Sequence, residues 1–187
     1  VITFPGSNCD RDMYETIQII SGGEVIKVWH ADSELPAGLD FIAIPGGFSY
    51  GDYLRSGAMS AKSPIMSEVV KAAQKGMYIL GVCNGFQILT ESGLLPGTLM
   101  RNKNLKFICK AVELEVENNS SKYTSKYIKG QKINIPIAHH DGNFFANDEV
   151  LKSIEDNGQV AFRYANDNPN GSLNNIAGIF SENKRIL

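Results

Sequence analysis

Short apolar runs alternate with amphipathic stretches along the first half of the chain. Val1-Ile2-Thr3-Phe4, Val25 to Val28, Phe41 to Ile44 and Met77-Tyr78-Ile79-Leu80 are each too short for a helix and predict strands. Asp10 to Ile20 predicts a helix that ends at Gly22-Gly23. Ser63-Pro64 predicts the start of another, with Ser63 as N-cap and Pro64 at the first helical position. Ile65, Val69, Val70 and Ala73 then fall on one face, and Gly76 ends the helix. This alternation indicates βαβ units and an α/β domain with a largely parallel sheet, covered by helices on both faces.

In such sheets, ligands bind outside the carboxyl ends of the strands. Pro5-Gly6-Ser7-Asn8, Pro45-Gly46-Gly47-Phe48 and the turn at Cys83 would therefore share one edge. The second half reads differently. Lys106 to Val116 alternates as a strand, Ile133 to Ala138 and Val160 to Tyr164 are further strands, and Glu149 to Ile154 is a short helix. Asn118 to Lys132 is polar and predicts a flexible loop. No linker or internal repeat separates the halves, so the reading is one domain over residues 1–187 with extra sheet added.

Composition narrows the function. A chain of 187 residues, 43% hydrophobic, can bury one substantial core. A net charge of −2 gives no electrostatic reason to expect nucleic acid, and no apolar run approaches the ~20 residues of a membrane span. Cys9, Cys83 and Cys109 have neither metal-ligand nor disulfide-framework spacing, which favours a reduced, cytoplasmic setting. Cys109 reads as a buried small hydrophobe in an apolar run, and Cys9 as an ordinary thiol near a helix start that could lie close to a site.

Cys83 is different. Gly81-Val82-Cys83-Asn84-Gly85 places it between glycines, after a strand and before the helical run Phe86-Gln87-Ile88-Leu89. G-x-C-x-G at that junction is the cysteine form of the nucleophile elbow, which lifts a reactive atom above a sheet edge. The N-terminus of the following helix points at the sulfur and is expected to favour thiolate. A thiolate attacking a carbonyl needs N–H donors for the charge that develops on oxygen. The Asn84 amide, directly after the nucleophile, is one candidate, and the Pro45-Gly46-Gly47 turn supplies a second. Gln87 lies one helical turn beyond Cys83. It could orient a substrate, or could equally be a surface residue on an amphipathic helix.

P-G-G-F-S-Y-G-D, G-V-C-N-G-F-Q-I-L and L-L-P-G-x-L-x-x-N together resemble the class I glutamine amidotransferases. Phe4-Pro5-Gly6-Ser7-Asn8-Cys9-Asp10, Ile135-Pro136-Ile137-Ala138-His139 and Asn170-Gly171-Ser172 narrow the resemblance to the PurQ-type glutaminase subunits of phosphoribosylformylglycinamidine synthase, over the whole chain. The resemblance implies a flavodoxin-like fold, with a mostly parallel sheet, helices on both faces and additional antiparallel strands. It implies that Cys83 attacks the glutamine side-chain amide to form a γ-glutamyl thioester, with Gly47 and Asn84 at the oxyanion hole. Gly46 and Gln87, with His140, Gly142 and Asn143 at the amino-acid end, would contact glutamine. The released ammonia would pass to a PurL-type synthetase subunit, accompanied by a small PurS-type subunit. That synthetase would use ATP and Mg to make formylglycinamidine ribonucleotide in purine synthesis. No cofactor or metal is expected in this subunit, whose sequence has no Walker-type loop.

The family completes its site with a His-x-Glu pair just after the final strand, which Arg185-Ile186-Leu187 resembles. The pair falls outside the sequence, and both ends read as trimmed. His30 reads as a surface residue at the end of the second strand, and His139-His140 as structural or substrate-contacting. Two alternatives stand beside the glutaminase: a degenerate glutamine-binding or assembly subunit without the pair, and a DJ-1/PfpI-like cysteine hydrolase.

Overall fold

The computed structural model describes residues 1–187, and the chain divides into two compact units, Val1–Leu94 with Ile186 and Leu95–Arg185 with Leu187. The first unit runs β1 (Ile2–Thr3), α1 (Asp10–Ser21), β2 (Val28–Trp29), β3 (Phe41–Ile44), α2 (Pro64–Gln74), β4 (Tyr78–Gly81) and α3 (Asn84–Glu91). β1 pairs with β2 in parallel, and β3 pairs with β4 in parallel from Phe41 opposite Tyr78 to Ile44 opposite Gly81. β1 lies against β3, and Ile186 bridges Ile79 in parallel. The spatial order is therefore β2, β1, β3, β4 and then Ile186. Chain order reverses between β1 and β3, and a doubly wound sheet opens its ligand crevice at that reversal.

The core of this unit follows the predicted apolar positions. Ile2, Ile42, Ile44 and Ile79 from the strands, Ile65, Met66 and Val69 from α2, and Ile88 and Leu89 from α3 are all buried. α1 differs: it buries none of its residues, and Ile19 and Ile20 stand exposed. Its C-terminus is closed by Gly22 in the left-handed conformation, whose N–H donates to the Gln18 carbonyl. Ser63 precedes Pro64 as predicted but makes no capping bond, and its hydroxyl lies 3.2 Å from that of Tyr50.

The second unit contains β5 (Thr98–Met100), β6 (Ile108–Val116), β7 (Lys132–His139), β8 (Asn143–Phe145), α4 (Asp148–Asp156), β9 (Val160–Tyr164) and β10 (Ile176–Ile179). Four of its strands form an antiparallel sheet in the order β10-β9-β6-β7, and β5 pairs with β8. The alternation along β6 turns Val112, Leu114 and Val116 into the core and leaves Glu113 to pair with Lys132 at 2.9 Å. The core begins only at Val112, so Cys109, read as buried, stands exposed nearer the start of the strand. Pro136 is tolerated because β7 is an edge strand. β5, β8 and β10 escape prediction because three or four residues carry too little periodicity.

The polar segment 118–132 is not a loose loop. Ser121 and Thr124 are buried, the Ser121 hydroxyl donates to the Lys184 carbonyl at 3.0 Å, and the Tyr123 hydroxyl donates to that of Arg185 at 3.1 Å. Ser121 and Tyr123 are thereby tied to the protein backbone. No helix is long and apolar enough to cross a membrane.

Candidate active site

The loops leaving β1, β3 and β4 meet at one edge, as the topology predicts. The Tyr50 N–H donates to the Pro5 carbonyl at 2.6 Å, joining the first loop to the second. A Cβ built on Gly46 would lie 3.3 Å from the Cβ of Cys83 and 3.8 Å from that of Cys9, so the second loop also abuts the third. Cys9, read as an ordinary thiol from the sequence, is thus beside Cys83. Only the folded loops bring it there.

Cys83 has φ 54° and ψ −106°, between β4 and α3. A positive φ is uncommon outside glycine and marks a strained turn held by its surroundings. Part of that hold comes from Gly85, where any Cβ would run into the Ile44 carbonyl oxygen; α3 can approach β3 this closely only with glycine there. The Val82 N–H donates to the Ile44 carbonyl at 3.1 Å, and the Gly85 N–H to the Val82 carbonyl at 2.9 Å. The elbow is therefore formed as read.

The side chain of Cys83 reaches solvent, and the backbone N–H groups of Asn84 and Gly47 hydrogen-bond to its sulfur. Access and local density differ here: the residue can be reached, yet enough protein surrounds the sulfur for desolvation to be the largest influence on its pKa. Desolvation pushes the thiol up, the Asn84 and Gly47 N–H groups pull it down, and Cys9 and Asp52 add to the rise. The net direction is upward. The Asn84 N–H at the start of α3 lowers the pKa, as expected of a helix N-terminus, while burial acts against it more strongly.

Gly47 holds its N–H on the sulfur with φ 113°, a backbone open to glycine alone among ordinary residues. A Cβ there would collide with Asn8 Oδ1 and stand 2.8 Å from the Asn8 backbone nitrogen. Gln87 is buried, which decides against the surface alternative, and its Oε1 accepts from Asn84 Nδ2 at 2.7 Å. His30 is half-buried rather than superficial: its Nδ1 lies 2.7 Å from the Tyr50 hydroxyl, and its ring meets those of Phe4, Trp29 and Tyr50. It braces the loop that carries Gly47. Ser49 and Asp52, not singled out from the sequence, bond to the Asn84 side chain.

His140, Gly142 and Asn143 belong to the second unit. Gly142 donates its N–H to Asn102 Oδ1 at 3.0 Å and accepts from Asn170 Nδ2 at 2.7 Å. His140 Nε2 lies 3.2 Å from the Leu105 carbonyl, and Asn143 Nδ2 donates to that of Arg101 at 3.4 Å. Desolvation lowers the pKa of His139, whose Nδ1 has no hydrogen-bond partner. No group of three or more His, Cys, Asp or Glu side chains is placed to hold a metal ion.

A doubly wound sheet with a cysteine elbow and two N–H donors on its sulfur has the parts that cysteine-dependent acyl transfer requires. The sequence profile of the CobB/CobQ-like glutamine amidotransferase domain matches residues 1–187. The chain is 62% identical to the phosphoribosylformylglycinamidine synthase subunit PurQ of Novosphingobium aromaticivorans, over all of this chain and 83% of that one. It is 56% identical to the PurQ of Trichormus variabilis, over the same shares. Among solved structures, PurLQS from Thermotoga maritima superposes with a TM-score of 0.88 at 46% identity, covering 99% of this chain and 82% of that one. A glutamine amidotransferase from the same organism shares the fold alone, with a TM-score of 0.60 at 16% identity, over 95% and 67%. The chain belongs to the glutamine amidotransferase family, in its PurQ branch of phosphoribosylformylglycinamidine synthase subunits.

Proposed function

We propose that this chain is the glutaminase subunit of phosphoribosylformylglycinamidine synthase, with Cys83 as the nucleophile that releases ammonia from glutamine. The observation that carries the assignment is the convergence of the Asn84 and Gly47 N–H groups on the Cys83 sulfur. Attack of the thiolate on the side-chain carboxamide forms the C–S bond and moves an electron pair onto oxygen. The same two N–H groups then face that oxyanion. Collapse breaks the C–N bond, the nitrogen takes a proton and leaves as ammonia, and a γ-glutamyl thioester remains. Water hydrolyses the thioester, giving glutamate and restoring the thiol.

The raised pKa of Cys83 means that its proton must be taken by a base. A His-x-Glu pair of the family type has the right chemistry, the histidine accepting the proton and the glutamate orienting the ring. Gly46 and Gln87 would contact glutamine, and His140, Gly142 and Asn143 would hold its amino-acid end. The ammonia would go to a PurL-type synthetase subunit, with a PurS-type subunit in the assembly, as in the PurLQS structure of the relative. ATP and Mg would act on that synthetase rather than here. A reducing, cytoplasmic setting suits a mechanism built on a thiol.

Cys83→Ala tests the reading in the assembled complex. Glutamine-dependent product formation should fall to background while ammonia-dependent synthesis survives. Equal loss of both activities would remove Cys83 from its role.

A further inference from the structure

The elbow explains the backbone of Asn84 but not its side chain. That side chain is buried, and the polarity of its partners fixes its orientation. The Ser49 N–H can only donate, and it points to Asn84 Oδ1 at 3.2 Å, as does the Ser49 hydroxyl at 2.5 Å. The amide nitrogen must then lie on the other side. There Nδ2 donates to Gln87 Oε1 at 2.7 Å and to Asp52 Oδ1 at 3.3 Å. Gln87 sits three residues on, where a helix brings the two side chains together. Because Gln87 accepts from Asn84, its carbonyl is turned inward and its NH2 is turned the other way.

We infer that Asn84 is a positioning residue whose side chain sets the polarity of Gln87, so that Gln87 offers glutamine an N–H donor and not a carbonyl. Ser49 and Asp52 hold Asn84 in the orientation that requires this. The inference rests on the glutaminase reading above. It specifies the substrate atom that meets Gln87 as an acceptor, a carbonyl or carboxylate oxygen of glutamine. A reversed Gln87 would set oxygen against oxygen, and a site built around a hydrogen bond discriminates most strongly against a partner that leaves it unmade.

The test reverses the polarity while keeping the network complete. In the D52N/N84D double variant, residue 84 still accepts from both donors of Ser49. Residue 52 can donate to its other oxygen, and Gln87 must turn its NH2 inward to bond to residue 84. Assembled with the synthetase partner, this variant should keep the thermal midpoint of the parent. Its KM for glutamine should rise about tenfold or more, the scale of one lost hydrogen bond, with ammonia-dependent synthesis intact. Gln87→Ala added to the double variant should raise KM less than about twofold further, because the contact is already lost. A KM within about twofold of the parent, or effects that multiply, would overturn the inference.

Should the double variant fail to fold, Gln87→Glu decides alone. It keeps the acceptor for Asn84 and removes the donor, so the same rise in KM is expected, and an unchanged KM overturns the inference. Failure of the parent complex to use glutamine, or survival of that activity in Cys83→Ala, would strike the underlying glutaminase reading instead.

Discussion

Gly47→Ala puts the oxyanion assignment under direct strain. At φ 113° an alanine would hold its Cβ 2.8 Å from the Asn8 backbone nitrogen and in collision with Asn8 Oδ1. A backbone forced into so sparsely populated a region costs on the order of 1–3 kcal/mol. The loop has two ways to respond. It can keep its shape, and the strain then appears as lost stability, about 2–4 °C in the thermal midpoint per kcal/mol for a chain of this size. Or the turn can rotate, and the N–H then leaves the Cys83 sulfur. Loss of one oxyanion donor costs ~10²–10³ in kcat with much less effect on KM. We expect mainly the second, because rotation of the turn relieves both the φ and the clash with Asn8. Steady-state glutamine turnover in the complex and a thermal melt of the same sample read both responses. Truncating Asn8 to alanine in this background should not restore turnover, since φ and the backbone contact persist. A midpoint and a kcat both within about twofold or 2 °C of the parent would refute the argument, as would full rescue by Asn8→Ala.

Two further predictions concern charge. Alkylation of Cys83 by iodoacetamide follows its thiolate fraction, and desolvation raises its pKa; the rate should therefore still be climbing above the ordinary thiol value of about 8.5. Mass-resolved alkylation against pH checks this, and an inflection below that value would mean the donors of Asn84 and Gly47 prevail. In the second unit, Arg163 bonds to Glu117 at 3.0 Å and to Glu155 at 2.6 Å, and the Arg163 bonds hold the Glu155 carboxyl below its usual range. Arg163→Met should cost about 1–3 kcal/mol in chemical denaturation near neutral pH. A depressed carboxylate contributes fully above its unfolded pKa of about 4.3 and loses that contribution as pH falls through its lower folded value. The gap between parent and variant should accordingly narrow below about pH 4, and a constant gap would remove Glu155 from the account.

The parallel half of the fold was legible because its strands are buried on both sides and therefore continuous in apolar residues, as in Phe41 to Ile44. The elbow was legible because few chemistries need a residue such as Cys83 pinned between glycines. Residues whose partners are distant in sequence were not legible. Ser49 meets Asn84 across 35 positions, and His30 meets Tyr50 across 20. Neither pairing leaves a period or a motif. Segment 118–132 misled for the opposite reason: its polarity signals water, but Ser121 and Tyr123 bond to the carbonyls of Lys184 and Arg185.

The raised pKa of Cys83 gives this arrangement its logic. A thiolate stabilised at rest would be a weaker nucleophile and an easier target for oxidation. Here burial pushes the thiol up and the two N–H donors pull it down. In the proposed reaction a base takes the proton and the sulfur attacks, so negative charge would move from sulfur to the carboxamide oxygen. The same donors would then follow that charge. Their interaction with a neutral thiol is weak and their interaction with an oxyanion is strong, so they favour the transition state over the resting enzyme. Gly47 and Asn84 would thus raise turnover rather than substrate affinity, whereas Gln87, held by Asn84, would govern affinity. Catalysis and recognition then separate between the backbone and the side chain of the same residue, Asn84.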